Sequence, residues 1–233
     1  IKPDKDSYSV YKNIISRNNE INCYVEETNQ NFSFKLKDTI LNEKSVYDLP
    51  EKIFFISDIE GNFKGLQSIL IGAGVINKDL KWTFGEGHLV FAGDMFDRNL
   101  NVTECLWLFY KLEDEAIKQN GKVHFIMGNH EVMNLRKDYR YVRQKYFINS
   151  DSLKLDYDKW YDKNSELGRW LRSKNCVEKI GDVLIVHGGI SNNFPIADLS
   201  LDEINSNFRS RIDMDLTKED ARTDIYIGRE SAV

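Results

Sequence analysis

The sequence is poor in cysteine, and its three cysteines, Cys23, Cys105 and Cys176, are scattered along the chain. Thiols this few and this far apart suit neither a disulfide framework nor a Cys-x-x-Cys metal knuckle, so three buried, reduced thiols are expected. The odd number favours a reducing compartment such as the cytoplasm. The chain begins at Ile1 without a signal-like sequence. We therefore expect that an upstream segment has been removed, and export after removal of a signal stays open.

The sequence also lacks a long apolar run and an excess of basic charge. No stretch approaches the ~20 apolar residues that a membrane-spanning helix needs. A total of 32 Lys and Arg against 37 Asp and Glu gives a formal net charge of −5. These absences argue against a membrane span and make nucleic acid an unfavoured partner. With 41% hydrophobic and 12% aromatic residues among 233, the composition is typical of one sizeable globular domain or two small ones.

Two parts of the chain carry different patterns. Residues 1–50 contain the alternating runs INCYVEET and NFSFKLKDTI, separated by Asn29 and Gln30, which predict an N-terminal β-hairpin extension. In residues 51–233, short apolar runs alternate with segments of helical period, which predicts an α/β domain with helices covering its sheets. Residues 132–175 are rich in charged and aromatic side chains, and their length predicts a helical cap within that domain.

Four apolar runs, KIFFIS, HLVFAG, KVHFIM and VLIVHGG, each end in residues that can bind a metal or transfer a proton. The carboxyl ends of strands in an α/β sheet converge on one crevice, so these residues are expected to share one site. Taken singly, each cluster also suits a helix cap, a turn or a packed histidine. The four together favour a site. The clusters are Asp58-Ile59-Glu60-Gly61-Asn62, Gly93-Asp94-Met95-Phe96-Asp97-Arg98, Gly128-Asn129-His130-Glu131 and His187-Gly188-Gly189.

The ordered motifs SDIEGN, GDMFDR, GNHE and HGG resemble those of the calcineurin-like metallophosphoesterases, specifically the PPP type of protein phosphatase. The stretches GNHEVMNLRKDYRYV and LGRWLRSKNCVEKIGDVLIVHGGIS are similar in particular to the Shewanella-like protein phosphatases. The resemblance covers about residues 52–212. It implies a two-sheet α/β/β/α sandwich that hydrolyses phosphomonoesters, with a phosphorylated protein or a small phosphoester as substrate.

The same resemblance implies two divalent cations, with a water between them as the nucleophile. Asp94 is implied as the bridge between the cations. Asp58 and Glu60 would complete one metal, and Asn129 and His187 would complete the other. Oxygen-rich ligands of this kind favour Mn²⁺, with Fe, Zn, Mg and Ca as alternatives.

Three further residues are implied in catalysis. His130 would be the general acid that protonates the leaving oxygen, and Asp97 would fix its tautomer. Arg98 offers a planar donor fork for the phosphoryl oxygens, and an exposed salt bridge is its ordinary alternative.

Two departures from the family pattern bear on activity. The family has histidine where this chain has Glu60, so either a carboxylate ligates there or one metal site is impaired. The family also carries a late Gly-His element, whereas His88 and His124, the two histidines outside the motifs, lie at or within apolar runs and are predicted to be packed. A shortened polypeptide would explain the missing ligand.

These departures leave rival functions open. One is a catalytically impaired phosphate-binding or regulatory pseudophosphatase, and another is a nucleotide or dinucleotide phosphohydrolase. A basic segment after GNHE suits either the acidic flanks of a substrate or a solvated helix face. Its members are Arg136, Lys137, Arg140, Arg143 and Lys145.

Overall fold

The computed structural model describes residues 2–4, 7–9, 19–192, 194–196 and 198–228. The strands in this part of the chain are β1 (Lys2–Asp4), β2 (Ser7–Ser9), β3 (Ile21–Val25), β4 (Gln30–Phe34), β5 (Val46–Tyr47), β6 (Ile53–Ile56), β7 (His88–Phe91), β8 (Lys122–Phe125), β9 (Val177–Ile180) and β10 (Val183–Val186). The α-helices are α1 (Phe63–Gly72), α2 (Val102–Ile117), α3 (Asn129–Leu135), α4 (Gln144–Leu153), α5 (Glu166–Arg172), α6 (Leu201–Ile212) and α7 (Lys218–Thr223).

The first sheet consists of β6, β7 and β8, which are parallel and lie in that order. Parallel strands need long crossovers, and α1 and α2 provide them here. Leu89 and Phe91 of β7 pack into the core that contains α1 and α2, whereas Val90 packs on the opposite face. This two-residue alternation places helices on one face of the sheet and a second sheet on the other.

The second sheet has the order β10-β9-β5, with β9 antiparallel to β10 and parallel to β5. A small core of Val90, Ile126, Ile180 and Ile185 fills the space between the two sheets. α6 packs against β9 on the outer face. The layers therefore follow the order helix, sheet, sheet, helix, and the predicted α/β fold class is confirmed.

The N-terminal part contains the antiparallel hairpin β3-β4, in which Asn29 adopts a left-handed φ of 51°. β5 also lies within residues 1–50, yet it pairs with β9 of the second sheet. The predicted boundary at residue 50 and the cap at 132–175 stay predictions. Parts of the predicted domains lie outside the described residues, namely 1, 5–6, 10–18, 193, 197 and 229–233.

Two smaller features complete the fold. Cys105 and Cys176 are buried and carry free thiols, whereas Cys23 is half-buried rather than buried as expected. Among the described residues, the longest helices fall short of the length and apolar character that crossing a bilayer requires.

Candidate metal centre

The loops that follow β6 and β7 carry an unusual concentration of left-handed backbone. Asp58, Glu60, Asp94, Asp97 and Arg98 have φ values between 50° and 73°. Residues other than glycine rarely adopt this conformation, and it costs on the order of 1 kcal/mol or more for each residue. The surrounding fold holds the two loops together, because Asp58 N–H donates to Gly93 O and Glu60 N–H donates to Asp94 O, both at 2.9 Å.

Two glycines allow the motif loops to approach closely. A Cβ at Gly93 would lie 2.6 Å from His187 Nδ1, and a Cβ at Gly128 would lie 2.4 Å from Asp94 Oδ1. Both distances are well inside van der Waals contact. The glycines are therefore needed so that the loops after β7, β8 and β10 can meet.

Acceptor atoms from these three loops converge at one point. His187 Nδ1–H donates to Ala92 O at 2.7 Å, so the lone pair of Nε2 points towards the loops. His187 Nε2 lies 3.1 Å from Asn129 Oδ1 and 3.2 Å from Asp94 Oδ2. Three acceptors at this spacing favour a proton or a cation between them. Ligand atoms at right angles around a cation with bonds of about 2.1 Å lie ~3 Å apart, so this donor set fits a divalent metal.

A proton can supply the same positive charge. Burial acts to lower the pKa of His187, but the hydrogen bond and the charge of Asp94 outweigh it and raise the pKa to about 9. A cation that binds His187 Nε2 would therefore have to displace a proton from it.

The titratable members form two groups that share Asp94. Asp58, Asp94 and His187 offer ligand atoms within 4.8 Å of one another, and so do Glu60, Asp94 and His130. Asp58 thus lies near His187, and its predicted sharing of one metal with Glu60 stays a prediction. A carboxylate common to both groups is what a bridge between two cations requires. We refer to Asp58, Glu60, Asp94, Asn129 and His187 as the acceptor cluster.

His130 and Asp97 form a buried pair beside the acceptor cluster. His130 Nδ1–H donates to Asp97 Oδ2 at 2.6 Å, and this hydrogen bond is the main cause of a raised pKa at His130. His130 N–H also donates to Asp94 Oδ1 at 3.0 Å. The ring is therefore fixed by one carboxylate, while its backbone is fixed by the other.

Arg98 and Glu60 contact each other at the mouth of the site. Arg98 Nη1 lies 2.7 Å from Glu60 Oε1, and its Nη2 lies 3.5 Å from His130 Nε2. The Arg98 side chain is 54% exposed and the Glu60 side chain is 16% exposed. The guanidinium thus faces solvent beside the predicted acid, with one nitrogen held by the Glu60 carboxylate.

Glu131 lies in the third strand-end cluster, but no role was predicted for it from the sequence, although its side chain organises the site. Its buried carboxylate accepts from the backbone N–H groups of Asp94 at 2.8 Å, Met95 at 2.6 Å and Gly128 at 2.7 Å. Burial and the charge of Asp94 raise the pKa of Glu131 to about 7, and the backbone donors oppose that rise. Glu131 therefore joins the loop after β7 to the loop after β8. The GNHE motif offered a sequence signal for this role, because its glutamate lies three residues after the glycine that precedes α3.

Most of the basic segment after GNHE is engaged in local structure. Arg136 Nη1 donates to Arg211 O at 2.6 Å, and Lys145 Nζ donates to Leu100 O at 2.7 Å. Lys137 pairs with Asp158, and Arg140 pairs with Asp138. These contacts favour a solvated helix face over a continuous basic binding surface.

A cavity of about 820 Å³ lies away from the motifs, near the amino end of β8. Its buried charges are paired: Lys174 Nζ lies 2.8 Å from Glu43 Oε1 and 2.6 Å from Glu113 Oε1. Lys122 Nζ lies 2.5 Å from Glu43 Oε2, and Lys37 Nζ lies 3.5 Å from Glu113 Oε2. We call these five residues the ion-pair cluster. Both carboxylates of the cluster face lysine ammonium groups, and Lys37 also pairs with Asp114 beside it. The cluster therefore has the character of a structural network rather than a reaction centre.

The two histidines outside the motifs lie away from the acceptor cluster. His124 is buried, with Nδ1 2.6 Å from Glu178 Oε2 and Nε2 3.0 Å from His88 Nδ1. They lie on the first sheet, and His124 reaches the second sheet through Glu178.

Comparison with known proteins agrees with the motif resemblance. The family model for calcineurin-like phosphoesterases matches residues 51–228. Shewanella-like protein phosphatase 1 of Plasmodium berghei is 33% identical over 70% of this chain and 45% of its own length. Shewanella-like protein phosphatase 2 of Arabidopsis thaliana is 34% identical over 42% of this chain and 25% of its own length. The chain therefore spans less than half of either relative.

Solved structures agree at the level of the fold. The cold-active protein-tyrosine phosphatase of a psychrophilic Shewanella species has a TM-score of 0.83 and 36% identity, over 94% of this chain and 66% of that one. A point mutant of a cold-active protein tyrosine phosphatase has a TM-score of 0.79 and 38% identity, over 86% of this chain and 61% of that one. The sequence-based assignment is confirmed, and the chain belongs to the calcineurin-like phosphoesterase family.

Proposed function

We propose that this chain is a dinuclear metal-dependent phosphomonoesterase that acts on phosphorylated protein. The observation that carries the proposal is the convergence of Asp94 Oδ2, Asn129 Oδ1 and His187 Nε2 at a spacing that suits ligands of one divalent cation. Membership of a metallophosphoesterase family supports divalent cations there. The names of the relatives support protein as the substrate, and the tyrosine phosphatases among them make a phosphotyrosyl peptide the first substrate to assay.

The acceptor cluster would hold the two cations, with Asp94 shared between them. When bound, the cations supply Lewis acidity that activates water for attack on phosphorus and neutralises charge on the phosphoryl oxygens. Mn²⁺ is the proposed metal, because four of the five ligand side chains offer oxygen.

The remaining chemistry belongs to side chains of the protein. His130 would donate a proton to the leaving oxygen, and Asp97 keeps the imidazole in the orientation that leaves Nε2 facing the site. Arg98 would bind the non-bridging phosphoryl oxygens with its exposed guanidinium.

The experiment is hydrolysis of 4-nitrophenyl phosphate and a phosphotyrosyl peptide by protein stripped of metal and then reloaded with Mn²⁺. We expect turnover only after reloading. Asp94→Asn should lose it, whereas Asp79→Asn, a matched change at an exposed aspartate outside the motifs, should keep it. Turnover by the stripped protein in excess chelator would contradict the proposal.

A catalytically impaired phosphate-binding protein is the second candidate, and one observation favours it. Glu60 engages Arg98 at 2.7 Å, so the guanidinium that would bind phosphate is partly neutralised. If this pairing disables the site, the Mn²⁺-loaded protein binds inorganic phosphate without turnover, and Glu60→Gln strengthens phosphate binding. Turnover by the unaltered protein would exclude this candidate.

A further inference from the structure

The carboxylate that orients His130 is itself held by a second side chain. Asp97 Oδ2 accepts from His130, while Asp97 Oδ1 accepts from Asn134 Nδ2 at 3.0 Å. The same Asn134 Nδ2 donates to His130 O at 3.0 Å. Asn134 lies four residues after His130 on α3, so both face the same side of the helix.

A tyrosine from outside α3 fixes the Asn134 amide. Tyr157 O–H donates to Asn134 Oδ1 at 3.0 Å. A flipped amide would turn its oxygen towards the Asp97 carboxylate and the His130 carbonyl, so the hydroxyl selects the orientation that donates to Asp97. Burial raises the pKa of Tyr157 far above its usual range, which keeps the hydroxyl protonated as a donor.

All four side chains are buried. His130, Asp97, Asn134 and Tyr157 are exposed by 5% or less. Water therefore competes poorly for these hydrogen bonds, and each bond restricts its neighbour more strongly than it would at a surface.

Tyr157 is in turn held by rings of the segment that the sequence predicts to be a cap. Its ring centroid lies 5.1 Å from that of Tyr139, 5.6 Å from Phe147, 5.4 Å from Trp160 and 5.7 Å from Tyr161. Such packing leaves the hydroxyl little freedom. The aromatic cluster thereby fixes a hydrogen-bonded chain that ends at the imidazole.

We propose that Asn134 and Tyr157 are positioning residues that hold Asp97, and through it the His130 imidazole, in the orientation for proton donation. This inference rests on the proposed function, because it assigns an acid role to His130. It predicts that removing one hydroxyl, which changes almost no packing volume, affects the proton-transfer step selectively.

The first test compares two substrates whose leaving groups differ in their need for a proton. Tyr157→Phe should lower kcat for phenyl phosphate by about tenfold, the low end of what lost orienting partners cost, with KM unchanged. For 4-nitrophenyl phosphate, whose leaving group is far more acidic, the loss should be less than about threefold. Asn134→Leu should give the same selectivity. Equal losses on the two substrates, or none, would overturn the inference.

Two further variants separate positioning from general damage. Tyr161→Phe is the matched control, since Tyr161 belongs to the same aromatic cluster but its hydroxyl lies 2.9 Å from Thr103 Oγ1. It should leave the ratio between the substrates unchanged. In an Asp97→Asn background, Tyr157→Phe should cause no further loss of kcat, because the chain is already broken. Additive losses would contradict the inference.

An NMR measurement that does not require catalytic turnover separates this inference from the proposed function. The proton on His130 Nδ1, 2.6 Å from Asp97 Oδ2 and shielded from water, should give a slowly exchanging downfield NMR resonance. Tyr157→Phe should shift or broaden it, and Tyr161→Phe should not. If the chain proves inactive and this pattern appears, the positioning stands while the proposed function fails. An unaffected resonance in Tyr157→Phe would overturn the positioning itself.

Discussion

Two clusters of polar and charged side chains lie at opposite ends of the first sheet, one largely buried and the other buried only at Asp94, and they differ in how their charges are balanced. In the ion-pair cluster, both oxygens of Glu43 and of Glu113 face lysine ammonium groups. In the acceptor cluster, carboxylate, amide and imidazole acceptors face one another. Buried charges are tolerated only when they are compensated. Lysines compensate both carboxylates of the ion-pair cluster, whereas Asp94, the buried carboxylate of the acceptor cluster, relies on a proton or a cation for its compensation.

The largest expected effect comes from the shared carboxylate. Asp94→Asn should reduce turnover by about 10⁴-fold or more, the scale seen when a central catalytic group is removed. Calorimetric Mn²⁺ titration should show the loss of at least one site, since the amide offers no charge to a bridge. The fold should persist, with an unchanged far-UV circular dichroism spectrum. Full metal binding by the variant would contradict the bridging role proposed for Asp94.

Substitutions in the ion-pair cluster should lower stability and leave metal binding unchanged. Lys174→Met leaves two buried carboxylates undercompensated, and it should lower the free energy of unfolding by about 3–5 kcal/mol. Metal stoichiometry in the folded fraction should not change. Lys118→Met, at an exposed lysine lining the same cavity, is the control and should have little effect on the urea midpoint. Equal destabilisation by both changes would show that the pairing contributes nothing specific.

Acid should weaken the ion-pair cluster through Glu43. Burial acts to raise the pKa of Glu43, but Lys174 and Lys122 outweigh it and lower the pKa from 4.5 to about 2. A depressed pKa in the folded state contributes stability above pH 4.5 that is lost as the pH falls towards 2. The contribution is on the order of 3 kcal/mol.

Glu43→Gln should therefore flatten the dependence of unfolding free energy on pH between 4.5 and 2. Urea titrations across this range measure it, with Glu86→Gln at an exposed glutamate as the control. A pH dependence identical to that of the unaltered protein would contradict the assignment.

The smallest expected effect concerns Glu60, and it tests whether this carboxylate belongs to the metal ligands. If Glu60 is a ligand, Glu60→His should shift metal preference from Mn²⁺ towards Zn²⁺ by about tenfold in relative affinity, at the low end of ligand-sphere effects. If Glu60 serves only to pair with Arg98, the same change should raise the number of metals bound. Competition titrations and elemental analysis distinguish the cases. A variant unchanged in both would mean that Glu60 does not face the metals.

The fold was predictable where local sequence patterns specify it. The runs IFFI, HLVF, KVHF and VLIV are apolar enough to indicate strands, and all four form strands. β9 was not singled out, because VEKI carries two charges; one of them, Glu178, is buried against His124. Its strand character depends on pairing with β10 and β5, which a local pattern does not reveal.

The site was predictable only in part. The motifs name the residues that converge, but they do not reveal that Glu60 contacts Arg98. Tyr157 reaches Asn134 from 23 residues away in sequence, so no periodicity links them. Contacts of this kind follow from tertiary packing, and their residue types are ordinary for a buried core.

The central claim is that the acceptor cluster supplies two cation sites that share Asp94. The most direct measurement is the number of Mn²⁺ ions bound per chain, obtained by elemental analysis after stripping, reloading and removal of free metal. The account predicts two per chain for the unaltered protein and at most one for Asp94→Asn. Zero or one in the unaltered protein, or two retained by Asp94→Asn, would contradict it.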